Sequence, residues 1–182
     1  MPLQIEKPIA LVGLMGVGKT TVGRRLAKRL GRTFDDSDDA IEQASGRTVA
    51  GYFRDHGEAD FRDGEFRVIK RLLTEEPPLI LATGGGAFIH PPTRALLREQ
   101  AIVVWLKGDL DTLVERVSRN DKRPLLRGVD KREKMRELME VRHPIYAKAH
   151  IKVKIARGPH LRTVNRVMRA LKSYEEPPRE SE

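Results

Sequence analysis

The sequence predicts an α/β fold with a parallel sheet, and three observations carry that prediction. Short apolar runs recur along the chain, helix-like segments separate them, and a glycine-rich turn joins the first run to the first helix. Residues 9–12 form the first run; Val22, Leu26 and Leu30 then recur every four residues up to Gly31, which marks one helix face and its stop. Residues 33–35 add a short strand, and 79–82, 101–106 and 151–155 three more, each beside a helical segment as parallel βα units require. Helices are predicted over 38–44, 49–73 with a break near Gly57, 93–100, 109–118, 131–143 and 161–171.

The 182 residues fit one domain with a core over about 8–171. Two stretches interrupt the alternation: a helical insert over about 38–73, and a polar segment within about 116–130 that carries Arg123, Arg127 and Gly128 and has the character of a lid. Residues 174–182, with a Pro-Pro pair, read as a frayed tail.

Composition narrows the chemistry. Lys and Arg number 35 against 26 acids, a net charge of +9, so the surface attracts anions of any kind. The absence of cysteine removes disulfides, thiolate catalysis and Cys-type zinc sites, and fits a reducing compartment. The five histidines show no metal-ligand spacing. No stretch reaches the roughly 18 apolar residues of a bilayer span, and residues 1–10 lack the pattern of a secretory signal. The expectation is a cytoplasmic protein.

Gly13-Leu14-Met15-Gly16-Val17-Gly18-Lys19-Thr20 satisfies the Walker A pattern and sits between a predicted strand and a predicted helix, where its mechanism requires it. Glycines let successive backbone N–H groups turn inward around a phosphate chain, with Gly16 giving room for close approach. Lys19 is placed to reach the β- and γ-phosphates and Thr20 to offer its hydroxyl to Mg²⁺, at the positive end of the helix. No Asn-Lys-x-Asp guanine loop is present, so ATP is expected rather than GTP.

Phosphoryl transfer also needs a carboxylate near the nucleophile and cations for the bound anions. Asp36 and Asp38, two apart, would point the same way if the segment is extended, whereas an acidic helix start with an Asp cap is the other reading, and both roles can coexist. Arg62 shares a helical stripe with Phe66, Ile69 and Leu73, and Arg142 falls on the apolar face of Met135, Leu138 and Met139, just before Pro144, where the helix is expected to end. Each arginine either pairs internally, for instance Arg62 with Glu65, or meets a ligand; beside a phosphate loop, a clamp on a substrate carboxylate is the better reading. Thr83-Gly84-Gly85-Gly86 follows a predicted strand where many such enzymes carry a Walker B aspartate. With that acid missing, holding Mg²⁺ falls to Asp36, through water, and bare glycines let a ligand press on backbone.

The ordered set Gly16-Val17-Gly18-Lys19-Thr20-Thr21, Asp36-Ser37-Asp38, Phe61-Arg62, Gly84-Gly85-Gly86, Arg123-Pro124-Leu125-Leu126 and Arg142-His143-Pro144-Ile145-Tyr146 resembles the shikimate kinase family, over about residues 8–171. The resemblance implies a three-layer P-loop fold with a five-stranded parallel sheet in the order 2-3-1-4-5, a substrate-binding insert and a lid. It implies that Asp38 binds the reacting hydroxyl as base, that Arg62 and Arg142 hold the carboxylate, and that Gly85, between Gly84 and Gly86, meets the ring. Lys19, Arg123 and the loop residues Gly16, Val17, Gly18, Thr20 and Thr21 would hold ATP, Arg116 and Arg157 would flank its adenine, and Thr20 and Asp36 would support Mg²⁺. The partners implied are shikimate and ATP, with no nucleic acid and no membrane, for a monomer. Asp35 and Asp39 depart from the family pattern by crowding the Asp-Ser-Asp element with charge. The competing readings are another acceptor, gluconate or a nucleoside monophosphate, and an ATP-gated nucleic-acid binder, the last weakened by 5% aromatic content.

Overall fold

The computed structural model describes residues 5–75, 79–119 and 128–175. In chain order the elements are β1 (Ile9–Val12), α1 (Lys19–Leu30), β2 (Phe34–Asp36), α2 (Ser37–Ser45), α3 (Val49–Glu75), β3 (Ile80–Ala82), a 3₁₀ turn (Ala87–Ile89), α4 (Pro91–Gln100), β4 (Ile102–Lys107), α5 (Leu110–Ser118), α6 (Lys131–Tyr146), β5 (Ile151–Lys154) and α7 (His160–Lys172). The five strands form one parallel sheet in the order β2-β3-β1-β4-β5. Helices cover both faces, α1 and α7 packing together on one and α3, α4 and α6 meeting around the 3₁₀ turn on the other.

Burial explains the strand content. β1 and β3 are buried at every residue and read as unbroken Ile/Leu/Val/Ala runs, as strands covered on both faces must. Ile9, Ala10 and Leu11 stand in register with Ile80, Leu81 and Ala82 on one side and with Ile102, Val103 and Val104 on the other. At the edge, β5 alternates: Ile151 and Val153 are buried, Lys152 and Lys154 exposed.

Because β1 is central, the chain leaves it first toward β2 and β3 and later toward β4 and β5. A crevice therefore opens above the carboxyl ends of β1 and its neighbours, where open α/β sheets bind ligands. Gly23 lets α1 lie against β2, since a Cβ there would come within 2.6 Å of the Phe34 ring. Gly31 ends α1 with φ +64° and returns its N–H to the Ala27 carbonyl. In α3 the expected break falls at Gly57, whose φ of +81° and ψ of 173° interrupt the helix.

Of the two readings of Asp36 and Asp38, the structure selects the capped helix start: β2 ends at Asp36, and Asp38 lies in the first turn of α2. One expectation is corrected. The sixth helix does not end at Pro144. It runs on to Tyr146, because a proline in the last turn forfeits a single ladder bond while Ala147 N–H still reaches the His143 carbonyl. No helix among the described residues is long and apolar enough to cross a membrane.

Gly13, at the end of β1, has φ +146°, and a Cβ there would lie 2.6 Å from the Leu106 carbonyl oxygen, which belongs to the sheet and cannot withdraw. Gly13→Ala is expected to cost about 2–3 kcal/mol of stability, measured as a lower urea midpoint with the far-ultraviolet spectrum of the folded protein retained.

Candidate active site

Above the carboxyl ends of the strands lies a cleft of about 690 Å³. One wall is the glycine loop, in which Gly16 and Gly18 have φ near +90°, a conformation that turns backbone N–H groups into the cleft. No side chain caps α1 at Gly18, so the N–H groups of its first turn point the same way. Lys19 Nζ folds back over the loop and donates to the carbonyls of Gly13 and Leu14, at 2.7 and 3.1 Å. Thr20 Oγ1 donates to Asp36 Oδ2 at 2.8 Å. A hydroxyl and a carboxylate beside a phosphate cradle are the hard oxygen donors Mg²⁺ takes together with phosphate oxygens, so these residues fit that ion.

Asp36 does two things at once. Its other oxygen, Oδ1, accepts from the backbone N–H groups of Asp38 and Asp39 and so caps α2. The cap swings Asp38 into the cleft, over Gly84: a Cβ on Gly84 would lie 2.7 Å from Asp38 Oδ1. Burial and the neighbouring Asp36 charge push the Asp38 carboxyl up to about 6, against the pull of Lys19.

The next two glycines seat the two arginines. Arg142 Nη1 would stand 3.2 Å from a Cβ on Gly85, and Arg62 Nη2 only 2.1 Å from one on Gly86. Three consecutive residues without side chains thus receive one carboxylate and two guanidinium groups. The backbone of this turn is pinned from below, where Gly84 N–H donates to the buried Ser37 hydroxyl at 3.0 Å and the Gly85 carbonyl accepts from Tyr146 Oη. Tyr146 is buried, which pushes its hydroxyl up to about 12, and it also hydrogen-bonds Arg142 one turn earlier on α6. Continuation of the helix through Pro144 makes that contact possible.

Arg62 donates to Glu65 Oε1 at 2.7 Å and lies 3.7 Å from the exposed Glu58. Glu65 is fully buried in the cleft wall, and its Oε2 has no partner. Burial pushes its carboxyl up to about 7, opposed by Arg62. The internal pair does not withdraw Arg62 from the turn, because its Nη2 still stands over Gly86 while Nη1 is bonded to Glu65.

A family model described as shikimate kinase matches residues 15–172. A Caulobacter vibrioides protein named shikimate kinase is 53% identical over 166 residues, which are 91% of this chain and 82% of that protein. Another of that name, from Paramagnetospirillum magneticum, is 50% identical over 171 residues, covering 94% of this chain and 87% of the other. The solved structure of shikimate kinase from Acinetobacter baumannii in complex with shikimate superposes with a TM-score of 0.85 at 38% identity, over 92% of this chain and 93% of that one. This chain belongs to the shikimate kinase family.

Of the residues that likeness to shikimate kinases marks, the cleft gathers Gly16, Gly18, Lys19, Thr20, Thr21, Asp36, Asp38, Arg62, Gly84, Gly85, Gly86, Arg116 and Arg142. Val17 is buried beneath the loop. Arg116 braces the loop instead of standing open, donating to the carbonyls of Gly16 and Val17 at 3.1 and 3.2 Å, and burial lowers its pKa. Arg157 is exposed, lies 4.0 Å from Asp109 and does not line the cleft. Arg123 lies outside the described residues.

Sequence reasoning gave no site role to Ser37, Tyr146 or His160, and placed Glu65 only as an ion-pair partner. His160 packs against Gly18, and burial together with Arg116 and Arg25 lowers its pKa. Tyr146 had a legible signal, four residues after Arg142 and therefore on the same helix face.

A carboxyl that titrates higher in the folded protein than in the unfolded chain binds extra protons when folded. It favours folding below its unfolded pKa, and that contribution is lost as pH rises through the folded value. For Glu65 the window runs from about 4.5 to about 7. The stability of ligand-free wild type minus that of Glu65→Gln is expected to fall by on the order of 2–3 kcal/mol across that window. Urea midpoints at successive pH values test this, and a difference independent of pH would refute the buried titration.

Proposed function

We propose that this protein transfers the γ-phosphoryl group of ATP to the 3-hydroxyl of shikimate, and that the observation carrying this reading is the seating of Asp38, Arg142 and Arg62 over Gly84, Gly85 and Gly86 beside a phosphate loop. The two guanidinium groups hold the acceptor's single carboxylate in charge-assisted, fork-shaped contacts, and the bare glycine backbone accepts the ring edge. The acceptor hydroxyl then lies against Asp38, across the cleft from Lys19 and the loop amides that hold the triphosphate. Transfer of this kind needs little covalent work from the protein. It needs alignment, and a base whose pKa lies close enough to neutrality to take the hydroxyl proton as the new bond forms. Asp38, at about 6, is ionised at neutral pH and placed for that role.

Mg²⁺ bound with ATP would be held by Thr20 and, through water, by Asp36, and it supplies neutralisation of charge between the β- and γ-phosphates. Segment 38–73 acts as the insert that receives the acceptor, contributing Asp38, Phe53, Phe61, Arg62 and Glu65 to the cleft wall. The aromatic rings of Phe53 and Phe61 lie 5.5 and 5.2 Å from the Arg62 guanidinium and fix its plane.

A coupled assay of ADP release tests the reading: turnover must require both shikimate and Mg²⁺, and an ATPase rate indifferent to shikimate would overturn it. Asp38→Asn is expected to lower kcat by roughly 10²–10⁴-fold in a folded protein. In the wild type, kcat/KM for shikimate should rise with pH through about 6 as Asp38 loses its proton, and then level off. Arg142→Ala is expected to lower kcat/KM for shikimate by about 10²-fold or more, because it leaves a carboxylate half-paired, while KM for ATP changes by less than about threefold.

A further inference from the structure

A second cleft, of about 470 Å³, lies at the open edge of the sheet and shares no lining residue with the active site. Lys107 and Lys154, the last residues of β4 and β5, are register partners. Their side chains stand on the face that α6 covers, because Trp105, two residues back on β4, packs against His143 and Tyr146 of that helix. Two cationic side chains therefore leave neighbouring strands on the same face and border the cleft, Lys154 exposed and Lys107 partly buried.

Neither lysine, nor Arg166 beside them, is ion-paired with any described carboxylate. The one carboxylate lining the cleft, Asp109, keeps its charge while capping α5 through the N–H and hydroxyl of Thr112, at 2.8 and 2.9 Å, and pairs with Arg157 at 4.0 Å rather than with either lysine or Arg166. Arg166 is fixed at the rim by its bond to the Lys154 carbonyl at 3.0 Å. Lys107 is further held over the Trp105 ring at 5.4 Å, and its charge, after burial, lowers the pKa of His143. The rest of the lining is apolar, from Met139, Leu110 and Ile155.

The geometry points to a second ligand site here, for a small organic anion whose carboxylate or phosphate bridges Lys107 and Lys154 while an apolar ring or chain lies on Met139, Leu110 and Ile155. The cations supply what a bare anion needs, and the floor discriminates in favour of an anion with apolar surface. Met139 and Arg142 lie on the same helix but line different clefts, so a ligand here leaves the acceptor site open.

The test is isothermal calorimetry on the full chain saturated with shikimate and ADP, which occupies the first cleft, with 1-naphthoate as probe. Saturable binding at or below about 1 mM is expected. Lys107→Met/Lys154→Met should weaken it at least about tenfold, with kcat for shikimate unchanged. Inorganic phosphate should compete but bind more weakly, and neutral 1-naphthalenemethanol should not bind. Absence of 1-naphthoate binding, binding that survives in the double variant, or equal binding of the neutral alcohol would each overturn the proposal. Equal affinity for phosphate would overturn the part assigned to the apolar floor. Because the shikimate assay is run on the same samples, failure of this site is distinguishable from failure of the proposed activity.

Discussion

The turn Gly84-Gly85-Gly86 has no side chains, and three reactive groups occupy the space that Cβ atoms would take. A backbone so bare would be pliable, and the protein holds it from beneath with two buried hydroxyls, Ser37 on the Gly84 amide and Tyr146 on the Gly85 carbonyl. Those two anchors come from α2 and α6, the same helices that deliver Asp38 and Arg142. The groups above the turn and the bonds below it are thus set by one pair of elements, so a shift of either helix displaces a functional group and its support together.

Asp36 extends the coupling to the nucleotide side. One of its oxygens holds Thr20 at the start of α1, and the other caps the helix that begins with Ser37 and Asp38. The phosphate cradle and the carboxylate proposed as the base are therefore positioned through one side chain, and in-line transfer demands that the two keep a fixed relation. The proximity of two carboxylates has an electrostatic effect as well: the Asp36 charge helps raise Asp38 toward the range in which a carboxylate accepts a proton readily.

Much of this was legible in the sequence where a local rule has a single physical solution. The Walker A glycines, the αL stop at Gly31 and the break at Gly57 were readable because backbone with positive φ admits little else. The five strands were readable from apolar runs, with ends shifted by a residue where register with a neighbour decides the boundary. Where two rules competed, the sequence left them unresolved. Asp36 and Asp38 fit a strand or a helix cap, and only the end of pairing at Asp36 opposite Ala82 selected the cap. Pro144 suggested a stop, yet a proline in a final turn loses so little that the packing of Tyr146 under Gly85 prevails. Ser37 and Glu65 were opaque for a different reason: their roles are tertiary contacts with residues 47 apart, or depend on a burial that no periodicity signals.

In the proposed acceptor clamp, charge balance accounts for two arginines beside one buried glutamate. Two guanidinium groups alone would face a monocarboxylate with an excess positive charge in a shielded site, where an uncompensated charge is costly. Glu65, ionised and bonded to Arg62, reduces that excess to a single unit, which one carboxylate then neutralises. Arginine suits this arrangement better than lysine, because a planar fork can keep one edge on Glu65 and present the other to the ligand, whereas a single ammonium would have to choose. In that proposal the internal ion pair keeps Arg62 oriented toward the carboxylate it is to receive.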